Sequence, residues 1–482
     1  MRKNKRKSAI RRVIKGILLF ILAVLVINIV AAYIPFANPP ALEDPAAIEA
    51  RAEAMSADIE TQDRATILET RTDALDERIR LMMQAKEELI ITTYDCQDGE
   101  STRDILCAAV DRANAGVQVR ILVDGISGRL KLLTSDLFRA VEAHPNIEIR
   151  FYNLLTQWTP WKHMGRMHDK YVIADDFAYI LGGRNMFDYF LGEYPAPTHS
   201  RDREALVYNG AHGTGESADS SLFQVRDYFE AMWAHRETRF FHVGIDEARR
   251  EAVYADLAAR FERIRSEKPE LFAPVDYAAM TEPTSGIWLI SNPNTIYAKQ
   301  PVVFSTLCAL MRRAREDIVI HSPYVVLNAD MRAALTEIAG RTPVTLMINA
   351  VENGQNVVGS GDYLYHKREV LSTGMQVLEY AGGDSYHGKS VAIDDDIAII
   401  GSYNLDLRST HVDTELMLVI RSRAINAQLR ANMAALHADC RRVIDAERAE
   451  TPDGLHIPPL SVPRAIALRT IGALMQLVRN LA

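Results

Sequence analysis

One constellation of polar residues occurs twice in the chain, and it constrains the fold more than any other feature. The first copy reads His168-Asp-Lys170-Tyr-Val-Ile-Ala-Asp175, followed by Gly182, Gly183 and Asn185. The second reads His387-Gly-Lys389-Ser-Val-Ala-Ile-Asp394, followed by Gly401, Ser402 and Asn404. In both, Lys follows the histidine by two residues, Asp by seven, Gly by fourteen and Asn by seventeen. Shared offsets in copies 219 positions apart point to a duplicated structural unit rather than to two chance clusters.

The text around each copy repeats as well. Glu87–Tyr94 (EELIITTY) and Val117–Val123 (VQVRILV) are β-rich runs separated by helical text through Ala109 and Ala113. Asp317–Tyr324 (DIVIHSPY) and Val344–Asn349 (VTLMIN) stand in the same relation around Ala333 and Ala334. Strands alternating with helices imply βαβ units. The expected fold is therefore α/β, with two related halves, each a mostly parallel sheet flanked by helices, packed as a pseudo-two-fold duplicate. The halves are set at 87–267 and 286–445. The linker 268–285 is interrupted by Pro269, Pro274 and Pro283.

The spacing has chemical consequences. If His-x-Lys opens a strand, its two side chains share a face, so an imidazole and an ammonium converge on one ligand. Asp175 and Asp394 begin the turns that return as Ala178–Leu181 and Ile397–Ile400, which gives them a partly structural role. The glycines permit close backbone approach, and Asn185 and Asn404 can offer amide donors to phosphate oxygens. His163, His199, His366 and His411 read as surface or supporting residues. Cys96, Cys107, Cys308 and Cys440 lack metal-ligand spacing and read as unpaired packing residues, a Cys96–Cys107 bridge being the alternative. Neither a metal nor a cofactor is expected.

The ends have a different character. Residues 1–15 hold eight basic side chains and no acid, so the net charge of −8 divides into +8 there and −16 on the rest. Gly16–Ile34 (GILLFILAVLVINIVAAYI) is 19 residues long with Asn28 as its strongly polar side chain. At about 1.5 Å per residue it is long enough to cross a bilayer, and longer than the apolar core of a cleaved signal. The positive-inside bias leaves 1–15 cytoplasmic and the body on the opposite side of the membrane, the cell inner membrane if the source is bacterial. Asp44-Pro45 reads as a helix start, and 41–86 as a helical spacer. Residues 464–482 read as an amphipathic helix with Arg464, Arg469 and Arg479, lying either in an anionic lipid interface or on the core. Trp158 and Trp161, just before the first motif, face the same two readings.

With both motifs in view, the chain resembles the phospholipase D superfamily, whose signature is two HxKxxxxD motifs meeting at one site. The resemblance covers about residues 80–440, and RMHDKYVIADDFAYILGGRNMFDYF and GSYNLDLRSTHVDTELMLVI are most similar to bacterial cardiolipin synthases. It implies catalytic His168, Lys170, Asp175, His387, Lys389 and Asp394, with His168 as nucleophile, His387 as acid/base, and the reverse assignment as the alternative. It also implies histidine-orienting acids downstream of the motifs, here Asp202 and Glu415, with Arg408 and Ser409 bracing the second site. The implied activity is phosphatidyl transfer between phospholipids through a phosphohistidine, with phosphatidylglycerol and phosphatidylethanolamine or a second phosphatidylglycerol as substrates. Hydrolysis to phosphatidic acid uses the same residues. A tethered nuclease fits the −16 body poorly, because nucleic-acid affinity comes largely from phosphate neutralisation, and a non-catalytic membrane scaffold leaves two intact motifs without a purpose.

Overall fold

The structure is a computed structural model that describes residues 2–482 apart from Gln157, with side chains described from Arg12 onward. In chain order the first half supplies β1 (Asp63–Leu68), β2 (Glu88–Thr93), β3 (Gln118–Asp124), β4 (Ile147–Tyr152), β5 (Tyr171–Ala174), β6 (Ala178–Gly182), β7 (Ser200–Arg201), β8 (Glu204–Asn209), β9 (Thr238–Phe240) and β10 (Glu282–Pro283). The second supplies β11 (Ile287–Ser291), β12 (Ile318–His321), β13 (Val344–Asn349), β14 (Gln376–Tyr380), β15 (Ser385–Tyr386), β16 (Ser390–Ile393), β17 (Ile397–Gly401), β18 (Leu416–Arg421), β19 (Cys440–Val443) and β20 (Ala449–Glu450). They form two nine-stranded sheets, ordered β10-β1-β8-β6-β5-β2-β3-β4-β9 and β11-β18-β17-β16-β12-β13-β14-β19-β20. The run β1-β8-β6-β5-β2-β3-β4-β9 corresponds strand for strand to β11-β18-β17-β16-β12-β13-β14-β19. The α/β class and the duplication are thus visible in the strand order itself.

Two sequence expectations need correction. The two nine-stranded sheets are mixed rather than mostly parallel: among their described residues β2-β3-β4 and β12-β13-β14 pair in parallel and the other neighbours are antiparallel. Each motif strand turns back on itself at its aspartate, and this antiparallel meander fills one side of each sheet. The segment 41–86 is not a helical spacer either. Helices Pro45–Met55 and Arg71–Met82 flank β1, which pairs along its whole length with β8. Its text DRATIL buries Ala65 and Leu68 within a sheet, and the Ala-rich stretch before it masked that short β signal. Since β1 is the counterpart of β11, the first repeat begins well before residue 87. The start at Asp44-Pro45 is as read: the Asp44 carboxylate accepts the Ala47 N–H at 2.9 Å, and Pro45 opens the helix.

Period-two burial explains why the two sheets meet. Leu89, Ile91, Val172, Ala174, Ala178 and Ile180 face the first half's own helices. Their neighbours Ile90, Ile173, Tyr179 and Leu181 face the other way, into a central core shared with Leu289, Ala398, Ile400, Leu418 and Ile420 of the second half. Helices Ser221–Trp233 and Arg423–His437 complete that core with Leu222, Phe229, Leu429 and Met433. Strands buried on both faces read as continuous apolar runs, as these do. The four cysteines are buried and unpaired.

The motif aspartates close the meander. Asp175 and Asp394 both adopt φ of 47°, a left-handed conformation that aspartate tolerates better than most residues. The Asp175 carboxylate accepts N–H bonds from Lys86, Glu87 and Glu88 at 2.7, 3.0 and 2.7 Å, and Asp394 accepts those of Arg315 and Glu316 at 2.8–3.0 Å. Each therefore ties the end of its motif strand to the start of its antiparallel neighbour, β2 or β12, roughly 16 Å along the chain from the motif lysine. Replacing Asp175 by Ala strands three amide donors and should cost about 1–3 kcal/mol. The expected result in detergent-purified protein is a lower urea midpoint with phosphate binding retained.

Candidate active site

The motif histidines lie in extended chain just before β5 and β16, and each is laddered to the opposite half. Met167 bridges to Thr414, and the His168 N–H donates to Thr414 Oγ1 at 3.2 Å. Reciprocally, β15 pairs in parallel with β7, and the His387 N–H donates to the Arg201 carbonyl at 2.7 Å. Each ladder ends one residue before an acid, so the acids are exchanged between halves. Glu415 of the second half holds His168 Nδ1 at 3.0 and 3.1 Å, and Asp202 of the first holds His387 Nδ1 at 2.6 Å. Both carboxyl side chains are fully buried, whereas His387 keeps 24% of its side chain exposed and His168 11%.

With Nδ1 engaged, Nε2 of each imidazole is the nitrogen left for chemistry. Tyr94 packs edge-on against His168 and Phe190 against His387, with ring centroids 5.1 and 5.0 Å apart. The two lysines are almost fully buried beside the rings. Lys170 Nζ donates to the His168 carbonyl, and Lys389 Nζ lies 2.7 and 3.1 Å from the ring nitrogens of His387. Burial lowers Lys170 to about 7, with the charge of Lys389 adding to the effect, and burial lowers Lys389 to about 8 against the pull of Asp202 and Glu415. Burial and the lysines also push both histidines down, His387 to about 3.

The two acids differ. Burial raises Glu415 to about 8, despite Lys170 and two hydroxyl donors, Ser402 at 2.5 Å and Ser409 at 2.6 Å. Burial works the same way on Asp202, but there Lys389 and the His387 bond prevail, and its carboxyl is held below its usual range. The same position after each motif strand serves this difference: a Cβ at Gly183 would lie 2.4 Å from Asp202 Oδ1, whereas Ser402 uses its side chain on Glu415.

The structure thus brings together His168, Lys170, His387, Lys389, Asp202 and Glu415. Asn185 is buried at the edge of the first motif, where its Oδ1 accepts the Asp95 N–H at 3.1 Å. Asn404 Nδ2 lies 3.3 Å from Ser409 Oγ. Arg408 pairs with Asp413 at 2.8 and 3.0 Å and donates to the Met164 carbonyl. Asp175 and Asp394, expected among the catalytic residues, lie at the far ends of their strands with their oxygens committed to backbone amides, so the site does not include them. The roles of Ser402, Phe190 and Thr414 were not anticipated. They differ between the copies, so comparing the repeats could not expose them.

A family model described as the phospholipase D-like domain of cardiolipin synthase matches residues 79–189 and 307–437. The chain belongs to the phospholipase D superfamily, in this cardiolipin synthase-type family. It is 25% identical over 402 residues to cardiolipin synthase C of Escherichia coli K12, covering 75% of this chain and 82% of that protein. It is 27% identical over 345 residues to a cardiolipin synthase of Halalkalibacterium halodurans, covering 70% and 58%. An uncharacterized protein of Helicobacter pylori is 22% identical over 403 residues, covering 77% and 78%. In fold, 90% of the chain matches the whole of phosphatidylserine synthase from Haemophilus influenzae, with a TM-score of 0.62 at 15% identity.

The electrostatics give a signed expectation. Burial lowers both Lys170 and Lys389 from the usual lysine range, and a phosphoryl anion between them favours their ammonium forms. Glu415 and both imidazoles shift in the same direction. Calorimetric titration with inorganic phosphate in two buffers of different ionisation enthalpy should show net proton uptake at pH 8, smaller uptake at pH 6, and weaker binding as pH rises from 7 to 9.

Proposed function

We propose that the chain is a membrane-anchored phosphatidyltransferase of cardiolipin synthase type. The observation that carries this reading is the reciprocal pairing, in which two imidazoles, each oriented by a carboxylate from the other half, are accompanied by two buried lysines. Family membership supplies the substrate class, phospholipids. Among the described residues one helix, Arg12–Phe36, is long and apolar enough to cross a bilayer. The first helix runs from Arg2 to Tyr33, so the basic residues continue into it, although the side chains before Arg12 lie outside those described. In the proposed topology the basic end is cytoplasmic.

In the proposed reaction, Lys170 and Lys389 neutralise the non-bridging oxygens of a phosphatidylglycerol, and Asn185 and Asn404 add amide donors. His168 Nε2 attacks phosphorus. The bond to the glycerol head group breaks, and the leaving oxygen takes a proton from His387, leaving phosphatidyl-His168. A hydroxyl of the acceptor's glycerol then gives its proton to His387 and attacks phosphorus, which breaks the P–N bond and yields cardiolipin. The acid asymmetry supports this division of roles: burial and Lys389 lower His387, but the ionised Asp202 opposes them and favours its protonated form, whereas His168 faces a Glu415 pushed toward neutrality. Exchange of one phosphodiester for another is nearly isoenergetic, so excluding water decides between transfer and hydrolysis, and the buried acids and nearly buried His168 suit exclusion.

Purified protein given labelled phosphatidylglycerol, with and without phosphatidylethanolamine, should release cardiolipin, and phosphatidic acid as sole product would contradict the synthase reading. His387→Ala should lower turnover by about 10²–10⁴-fold. Acid-compatible mass spectrometry of rapidly quenched protein should locate the lipid adduct on His168; an adduct on His387 would reverse the roles.

A further inference from the structure

The C-terminal segment 464–482 uses its charges inward. Helix Val462–Met475 packs on helix Val357–Leu371 so tightly that a Cβ on Gly472 would lie 2.5 Å from the Gly361 carbonyl oxygen. Arg464 donates to the Gly354 carbonyl at 2.6 Å, and Arg479 makes a two-point pair with buried Asp362 at 2.8 and 2.9 Å. Two of the three arginines that made this helix look suited to anionic lipid are therefore engaged within the protein. Its outer side instead presents Val462, Ile466, Leu474 and Leu477, 60–78% exposed, alongside exposed Arg469.

This apolar face is fastened to the end of the membrane helix. Three residues beyond Leu477, Asn480 Nδ2 donates to the Ala37 carbonyl at 2.9 Å, and the adjacent Phe36 is fully buried. Two residues further, the Ala482 carbonyl accepts the Arg408 N–H at 2.8 Å, and the Arg408 guanidinium donates to the carbonyl of Met164, four residues before His168. The membrane helix also passes beside the turn Pro160–Lys162. Trp158 and Trp161 there are 77% and 43% exposed. A continuous set of contacts thus runs from the span's exit to the first motif.

We propose that the Val462–Leu477 face and the Trp158/Trp161 turn form a second bilayer contact, which with the span fixes the height and tilt of the catalytic cleft over the lipid surface. This rests on reading Arg12–Phe36 as a membrane span. The occupant is the bilayer because the face ends at Leu477, three residues before the contact with the span's exit, where the lipid surface begins, and because it is apolar while the tryptophan turn lies beside the membrane helix, a composition that seats at the interfacial level. With Arg464 and Arg479 engaged within the protein and Arg469 the one arginine left on this face, the contact depends on apolar insertion more than on anionic head groups.

The test uses the full chain in nanodiscs containing brominated lipid. The four native cysteines are buried, so single fluorophores can be placed on Ile466→Cys, Leu477→Cys, Leu25→Cys in the span and Glu262→Cys on an exposed helix face. The expected result is quenching at Leu25, Ile466 and Leu477 but not at Glu262, unchanged by raised salt. Quenching at Leu25 alone would overturn the proposal while leaving the span intact. Quenching at none would overturn the span and the proposal with it. Protection of Leu477 from iodide without lipid quenching would assign the face to a second copy and overturn the bilayer assignment.

Discussion

The exchange of carboxylates between halves is the constraint on which everything else depends. His168 is oriented by Glu415 and His387 by Asp202, so neither motif histidine finds its acid in its own half. Separating the halves would take the imidazole away from each acid, and removing one member of a buried pair commonly costs about 3–5 kcal/mol. The central apolar core and the β7–β15 ladder hold the halves in the register that makes the exchange work. Duplication and chemistry are thus one feature: the fold is a two-fold pair because the site is one.

The symmetry is broken at the two acids, Glu415 pushed up to about 8 and Asp202 held down. The proposed division into nucleophile and acid/base would use that difference. Ser402 in place of Gly183 is the smallest visible part of that difference. It places a hydroxyl on one acid where the other needs the space.

How much of this was legible in the sequence follows from what repeats can reveal. Residues common to both copies announced themselves by spacing, and so did the α/β halves. Asp175 and Asp394 were equally visible, yet spacing alone could not say that their carboxylates face amides at the far end of the strand. The exchange was not legible, because Asp202 lies 34 residues after His168 and Glu415 only 28 after His387. β1 was hidden for a different reason: its six residues owe their strand state to the β8 edge, a long-range contact that local periodicity does not encode.

Soaking or co-freezing the full chain with orthovanadate tests the shared site most directly. The expected result is one vanadium bonded to Nε2 of His168, with the apical oxygen opposite hydrogen-bonded to Nε2 of His387 and Lys170 and Lys389 on the equatorial oxygens. Two anions in separate cavities, each touching a single histidine, would contradict it.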